Sequence, residues 1–108
     1  MNIDLIMQHY SLVEHTMNKQ LTREQRLSML SMGLAGECGE LVEPIKKHLY
    51  HGRSLDTDNL VKEAGDVLWY LHGLLIECGS SLGQALSGNV DKLMARYPNG
   101  FVDGGGIR

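Results

Sequence analysis

Apolar residues return every three or four positions along most of the chain, and four segments carry the pattern. In the first, Ile3, Ile6, Tyr10, Val13 and Met17 line one side, which predicts an amphipathic helix from Ile3 to Met17. The second opens at Thr22, which with Gln25 fits a capping box, and its stripe runs Leu27, Leu30, Leu34, Cys38, Leu41, Ile45 and Leu49. That spacing predicts one continuous core face, with Gly52 as the C-terminal stop. Pro44 falls inside this helix, where a missing amide hydrogen and a crowded carbonyl cost about 3 kcal/mol or force a bend, expected just after Glu40. A third helix, capped by Asp56, Thr57 or Asp58, carries Leu60, Ala64, Val67, Leu68, Leu71, Leu75 and Cys78 and closes at Gly79. Ser81 with Gln84 starts a fourth, with Leu82, Leu86, Val90, Leu93 and Met94 on one side, reaching to about Tyr97 before Pro98, Asn99 and Gly100 turn the chain.

These segments predict an all-α fold, an antiparallel bundle of about four helices in a single domain over residues 1–102, followed by a mobile Gly-rich tail at 103–108. Only 2 Pro and 1 Phe among 108 residues agree with helices over sheet. A helical chain of this size has little core of its own, so the central helix pair is expected to be completed by oligomerisation. A net charge of -3 offers no basic footprint for nucleic acid. The 2 cysteines, Cys38 and Cys78, form no C-x-x-C pair, which predicts reduced thiols filling apolar space in a cytoplasmic protein. No run of apolar residues is long enough for a membrane span.

The candidate chemistry lies between Gly33 and Asp66. Glu37 with Glu40, and Glu63 with Asp66, are each spaced i,i+3, so each pair occupies one helical face and can converge on one ligand. At about 100° per residue Glu63, Asp66 and Tyr70 share a flank of the third helix. An antiparallel hairpin packed through its apolar stripes would bring both acidic flanks to one edge. Trp69 by the same arithmetic points away from that edge, toward core or interface. Oxygen-only donors select hard cations, Mg²⁺ or Mn²⁺, over zinc. Di-iron bundles place His at the i+3 position of two such pairs, and neither pair here does. Mg²⁺ held by carboxylates commonly binds substrate phosphates as well, which points to hydrolysis of a phosphoanhydride, and the chain has no Walker A motif to suggest a P-loop ATPase. Gly33, Gly36 and Gly39 predict close approach of a helix or ligand, and they lack the strand and G-x-G of a dinucleotide fingerprint. Lys46, Lys47, His48, His51 and Arg53 form a basic helix end that suits either the macrodipole or a polyphosphate. The contrasting reading is a helical interaction module whose acids are a solvated face.

The runs GLAGECGELVEPIKKHLYHG (Gly33 to Gly52), LVKEAGDVLWYL (Leu60 to Leu71) and NVDKLMARYPNGF (Asn89 to Phe101) resemble the MazG-like all-α nucleoside triphosphate pyrophosphohydrolases, in order and over most of the chain. The resemblance implies cleavage of a nucleoside triphosphate between its α and β phosphates, giving the monophosphate and pyrophosphate. It also implies Mg²⁺ on Glu37, Glu40, Glu63 and Asp66, with Glu40, or else Glu37, acting on the attacking water. Lys46, Lys47, Asn89, Lys92, Arg96 and Tyr97 match positions that hold phosphates, and Tyr70 one that touches sugar or phosphate. Many relatives have a second carboxylate where this chain has Gly36. Assembly as a homodimer, or a tetramer made from dimers, is implied, as is a bacterial or phage setting. Nucleotide pool control or sanitation is the expected role. A base-selective enzyme acting on dGTP, or on dCTP or dUTP, is the alternative.

Overall fold

The computed structural model describes residues 3–101, in which four α-helices follow one another: α1 (Ile3–Thr16), α2 (Arg23–Tyr50), α3 (Thr57–Glu77) and α4 (Leu82–Arg96). There is no strand among the described residues, and the fold is all-α as the periodicity predicts. The Gly-rich stretch expected to be mobile, 103–108, lies outside the described residues.

Local chemistry sets the helix ends. Thr22 accepts the Gln25 amide while the Gln25 side chain accepts the Thr22 amide, completing the reciprocal cap of α2. At the other end Gly52 takes φ 64°, a left-handed conformation that costs a glycine nothing and stops the helix. Asp56 is the cap of α3, accepting the Asn59 amide at 3.0 Å, and Gly79 at φ 79° ends that helix. Ser81 caps α4, although the Gln84 side chain pairs with the Ser80 hydroxyl rather than returning to the cap backbone. Pro44 is buried inside α2, which runs through it unbroken.

α2 and α3 form an antiparallel hairpin whose facing pairs step along both helices by three or four residues at a time. Arg26 makes a two-pronged ion pair with Glu77, both bonds at 2.9 Å. One turn on, Leu30 lies against Gly73, and next Gly33 lies against the ring of Tyr70. Beyond these, Glu37 meets Glu63 and Asp66. The seam therefore runs through a salt bridge, two glycine contacts and the acids. It runs beside the leucine stripe of α2 and shares Leu30 with it. A bulky apolar ridge on both helices would hold them apart, whereas Gly33 and Gly73 each let a side chain of the other helix sit close to the backbone.

This corrects the expectation of one continuous core face along α2. Leu30 is fully buried, Leu27, Leu34 and Leu41 are half-buried, and Cys38, Ile45 and Leu49 are exposed. Cys78 is exposed too, so neither cysteine is the apolar filler that composition suggested. The largest fully buried side chains among the described residues are Val13, Leu30 and His72, gathered where α1 crosses the hairpin. His72 bonds His9 of α1 through the two Nδ1 atoms at 2.9 Å, and burial, with the charge of His9 second, pushes its pKa below the usual imidazole value. α4 packs against α1 and α3 but not against α2. The radius of gyration is 16.6 Å, whereas a compact chain of this length has about 13 Å, so the subunit is open rather than closed around a core.

Candidate functional site

The acidic pairs occupy the middle of the hairpin. The helical register brings one carboxylate oxygen each from Glu37, Glu63 and Asp66 within 4.8 Å of one another. Glu37 and Glu63 are half-buried and Asp66 is exposed, so the group lies at the mouth of the seam and is open to a ligand. The Glu37 carboxyl is held above its ordinary pKa, first by desolvation, then by the hydrogen bond with Glu63 and by the charges of Asp66, Glu63 and Glu40. Carboxylates crowded in this way, with no cationic side chain among them, have the electrostatics of a cation site.

The donor set fits a hard divalent ion. Two oxygens on opposite sides of one Mg²⁺ stand about 4.2 Å apart, twice a bond of about 2.1 Å. The group spans 4.8 Å at most and needs only a small contraction, in the direction in which a cation draws carboxylates together. Glu40, expected as a fourth ligand, is exposed and stands outside this group, although its charge is felt at Glu37. It lies almost one full turn further along α2 than Glu37, toward the hairpin turn.

Next to the acids is a shallow recess of about 330 Å³ lined by Glu37, Asp66, Trp69 and Tyr70. A Cβ at Gly33 would stand 2.1 Å from Tyr70 Cε1, so glycine at that position is what lets the ring lie flat on α2 beside the site. Gly36 and Gly39 have nothing within 4 Å of where a Cβ would stand, so of the three spaced glycines only Gly33 serves close packing within the subunit. Trp69 corrects a second expectation, because it borders the recess instead of turning away. Measured from Asp66, three residues earlier, Trp69 is a neighbour on the same side, a signal the spacing already carried.

The predicted phosphate-binding residues are spread out. Lys46 is exposed and pairs with Glu43 at 3.6 Å. Lys47 lines a polar cleft of about 720 Å³ at the α2–α3 turn with Arg53, Asp56 and Asn59, and none of the three clustered acids borders it. Asn89, Lys92 and Arg96 are on α4 and Tyr97 is its C-terminal cap, and none of them lines the recess. Tyr70 is thus the one member of the predicted nucleotide-binding set that the subunit itself brings to the acids.

Residues 23–101 match the MazG nucleotide pyrophosphohydrolase domain, a span that takes in α2, α3, α4 and the whole acidic group, and the chain belongs to that family. It is also 36% identical over 84 residues to the Gene 37 protein of Mycobacterium phage L5, covering 74% of each chain. No solved structure matches it. Among the described residues no helix is long and apolar enough to cross a membrane.

Proposed function

We propose that the protein is a Mg²⁺-dependent hydrolase that cuts deoxynucleoside or ribonucleoside triphosphates between the α and β phosphates, releasing the monophosphate and pyrophosphate. The observation that carries this is the convergence of Glu37, Glu63 and Asp66 from two helices within 4.8 Å, inside a chain of the MazG family. A bound Mg²⁺, for which Mn²⁺ would substitute, polarises a phosphoryl oxygen and offsets charge on the leaving group.

Glu37, Glu63 and Asp66 hold the cation. Glu40, exposed nearly one turn along α2, is assigned to orient a water and take its proton. Tyr70, fixed on Gly33, limits the recess on the nucleoside side. Lys46 and Lys47 supply cations along the α2 face toward the turn.

Asn89, Lys92, Arg96 and Tyr97 are assigned to the phosphates through a second copy of the chain, because α4 does not pack on α2 within one subunit. Two features support a homodimer, or a tetramer of two dimers. Val42, Ile45 and Leu49 on α2, with Val61 and Leu68 on α3, leave large apolar groups exposed along the hairpin. The open shape of the subunit leaves room for a partner to cover them. The setting proposed is the cytoplasm, in nucleotide pool control or sanitation.

The test is pyrophosphate release from a panel of nucleoside triphosphates with Mg²⁺, for wild type, Glu37→Gln and Asp66→Asn. Hydrolysis that needs Mg²⁺ and is lost in both variants is the expected result. Strict preference for one base would replace the general role with a base-selective one. Unchanged hydrolysis in both variants would overturn the assignment of the site.

A further inference from the structure

The recess beside the acids has an aromatic wall that is held from outside the hairpin. Trp69 of α3 stands edge-to-face with Tyr70, ring centroids 5.0 Å apart and planes at 81°, and both rings border the recess that Glu37 and Asp66 close on its other side. The indole N–H donates to the Thr16 hydroxyl at 2.8 Å, across 53 residues of sequence. Thr16 in turn donates its own proton to the Leu12 carbonyl at 2.7 Å. The direction of that second bond leaves a lone pair on the Thr16 oxygen for the indole, so the two bonds agree with each other. They tie Trp69 to α1, a helix that contributes none of the clustered acids.

We propose that Trp69 is the stacking surface for the nucleobase and that Thr16 is its positioning residue. The proposal rests on the nucleotide reading of the acidic site. Indole has one hydrogen-bond donor, and Thr16 occupies it. Trp69 therefore presents a π face without a donor or acceptor for the base edge. Stacking of this kind adds affinity for any base, because every base has a π face. The wall holds a nucleoside next to the metal-binding carboxylates without choosing among bases. Base choice then requires polar groups that the recess of one subunit does not contain beyond its two acids and the Tyr70 hydroxyl.

Trp69 is the only tryptophan in the chain, so its fluorescence reports this site directly. The experiment titrates wild-type protein, with Mg²⁺ present, with a nonhydrolysable α,β-methylene nucleoside triphosphate and in parallel with inorganic tripolyphosphate, which has the phosphates but no base. Saturable quenching by the nucleoside analogue, absent with tripolyphosphate, is expected. Trp69→Leu should raise KM by roughly 5- to 100-fold for purine and pyrimidine substrates alike, with kcat nearly kept, and Trp69→Phe should stay within about 5-fold of wild type, the span that base–aromatic stacking covers. Thr16→Val, similar in volume but without the acceptor, should shift the emission maximum of the free protein and raise KM by a smaller factor.

Equal quenching by tripolyphosphate and the nucleoside analogue, or a Trp69→Leu enzyme with unchanged KM, would overturn the proposal while leaving the hydrolase reading in place. A Trp69→Leu loss confined to one base would overturn the claim that the wall is base-neutral. If wild type hydrolysed no triphosphate, the proposed reaction would fall, yet base-dependent quenching would still support the stacking wall.

Discussion

Replacing Gly33 by Ala tests whether the acidic hairpin depends on one ring lying flat on one backbone. An added Cβ would stand 2.1 Å from Tyr70 Cε1, 2.5 Å from Cδ1 and 2.6 Å from Cζ, far inside van der Waals contact. The obstacle is the body of a ring, not the end of a flexible chain, and Trp69 braces that ring at 5.0 Å on another side. Tyr70 must withdraw by more than an ångström, which belongs at the upper end of overpacking costs, about 3 kcal/mol. Alanine returns about 1 kcal/mol of helix propensity, leaving a net loss of about 2 kcal/mol. For a domain of this length each kcal/mol moves Tm by roughly 4 °C, so Gly33→Ala should melt about 8 °C below wild type. Gly36→Ala and Gly39→Ala add a methyl group to open space on the same helix and should melt about 4 °C above wild type. Differential scanning calorimetry at one protein concentration compares the three variants. A double variant, Gly33→Ala with Tyr70→Ala, should recover most of the Gly33→Ala penalty relative to Tyr70→Ala alone. If Gly33→Ala instead stabilised the protein as the other two do, the seam described for α2 and α3 would be wrong.

Three other outcomes follow from the electrostatics. The Glu37 carboxyl has a raised pKa, so the folded state holds that proton more tightly than the unfolded chain, and metal-free stability falls as pH rises from about 4.5 through the raised value. Glu37→Gln should therefore raise the melting temperature of the metal-free protein at pH 7 and abolish the further rise on adding Mg²⁺, both read in thermal melts with and without EDTA. His72 has a lowered pKa, so its contribution is complete above about pH 6.5 and is lost as pH falls toward the folded value, because the unfolded chain takes the proton first. Melts from pH 7.5 down to 5 should show this loss in wild type and a flatter profile in His72→Leu. Arg26 and Glu77 share two bonds with side chains 23% and 15% exposed, so Arg26→Ala should lower the urea midpoint below that of wild type.

The helices were legible because the information for them is local. Thr22 with Gln25, Asp56, Ser81, Gly52 and Gly79 each act within a few residues, and the structure uses every one of them to start or stop a helix. The acidic pairs were legible for the same reason, since i,i+3 spacing puts two side chains on one face before any packing occurs. Three of the four predicted ligands do meet, and the family match covers them. What periodicity could not say was which face of each helix meets the other. Apolar spacing pointed to the leucine stripes, but the closest approach of two helices is decided by where side chains are smallest, at Gly33 and Gly73. That choice buried Leu30, left Ile45 and Leu49 exposed, placed Glu40 outside the ligand group and brought Trp69 to the recess. The bond from Trp69 to Thr16 is beyond any local rule, because it joins residues 53 positions apart through the crossing of α1 over the hairpin. The sequence alone determined the four helices and the two acidic pairs on them. Tertiary structure decided which of those acids converge and which aromatic residues stand beside them, because both depend on the distance between helix axes, and that distance is set by contacts remote in sequence.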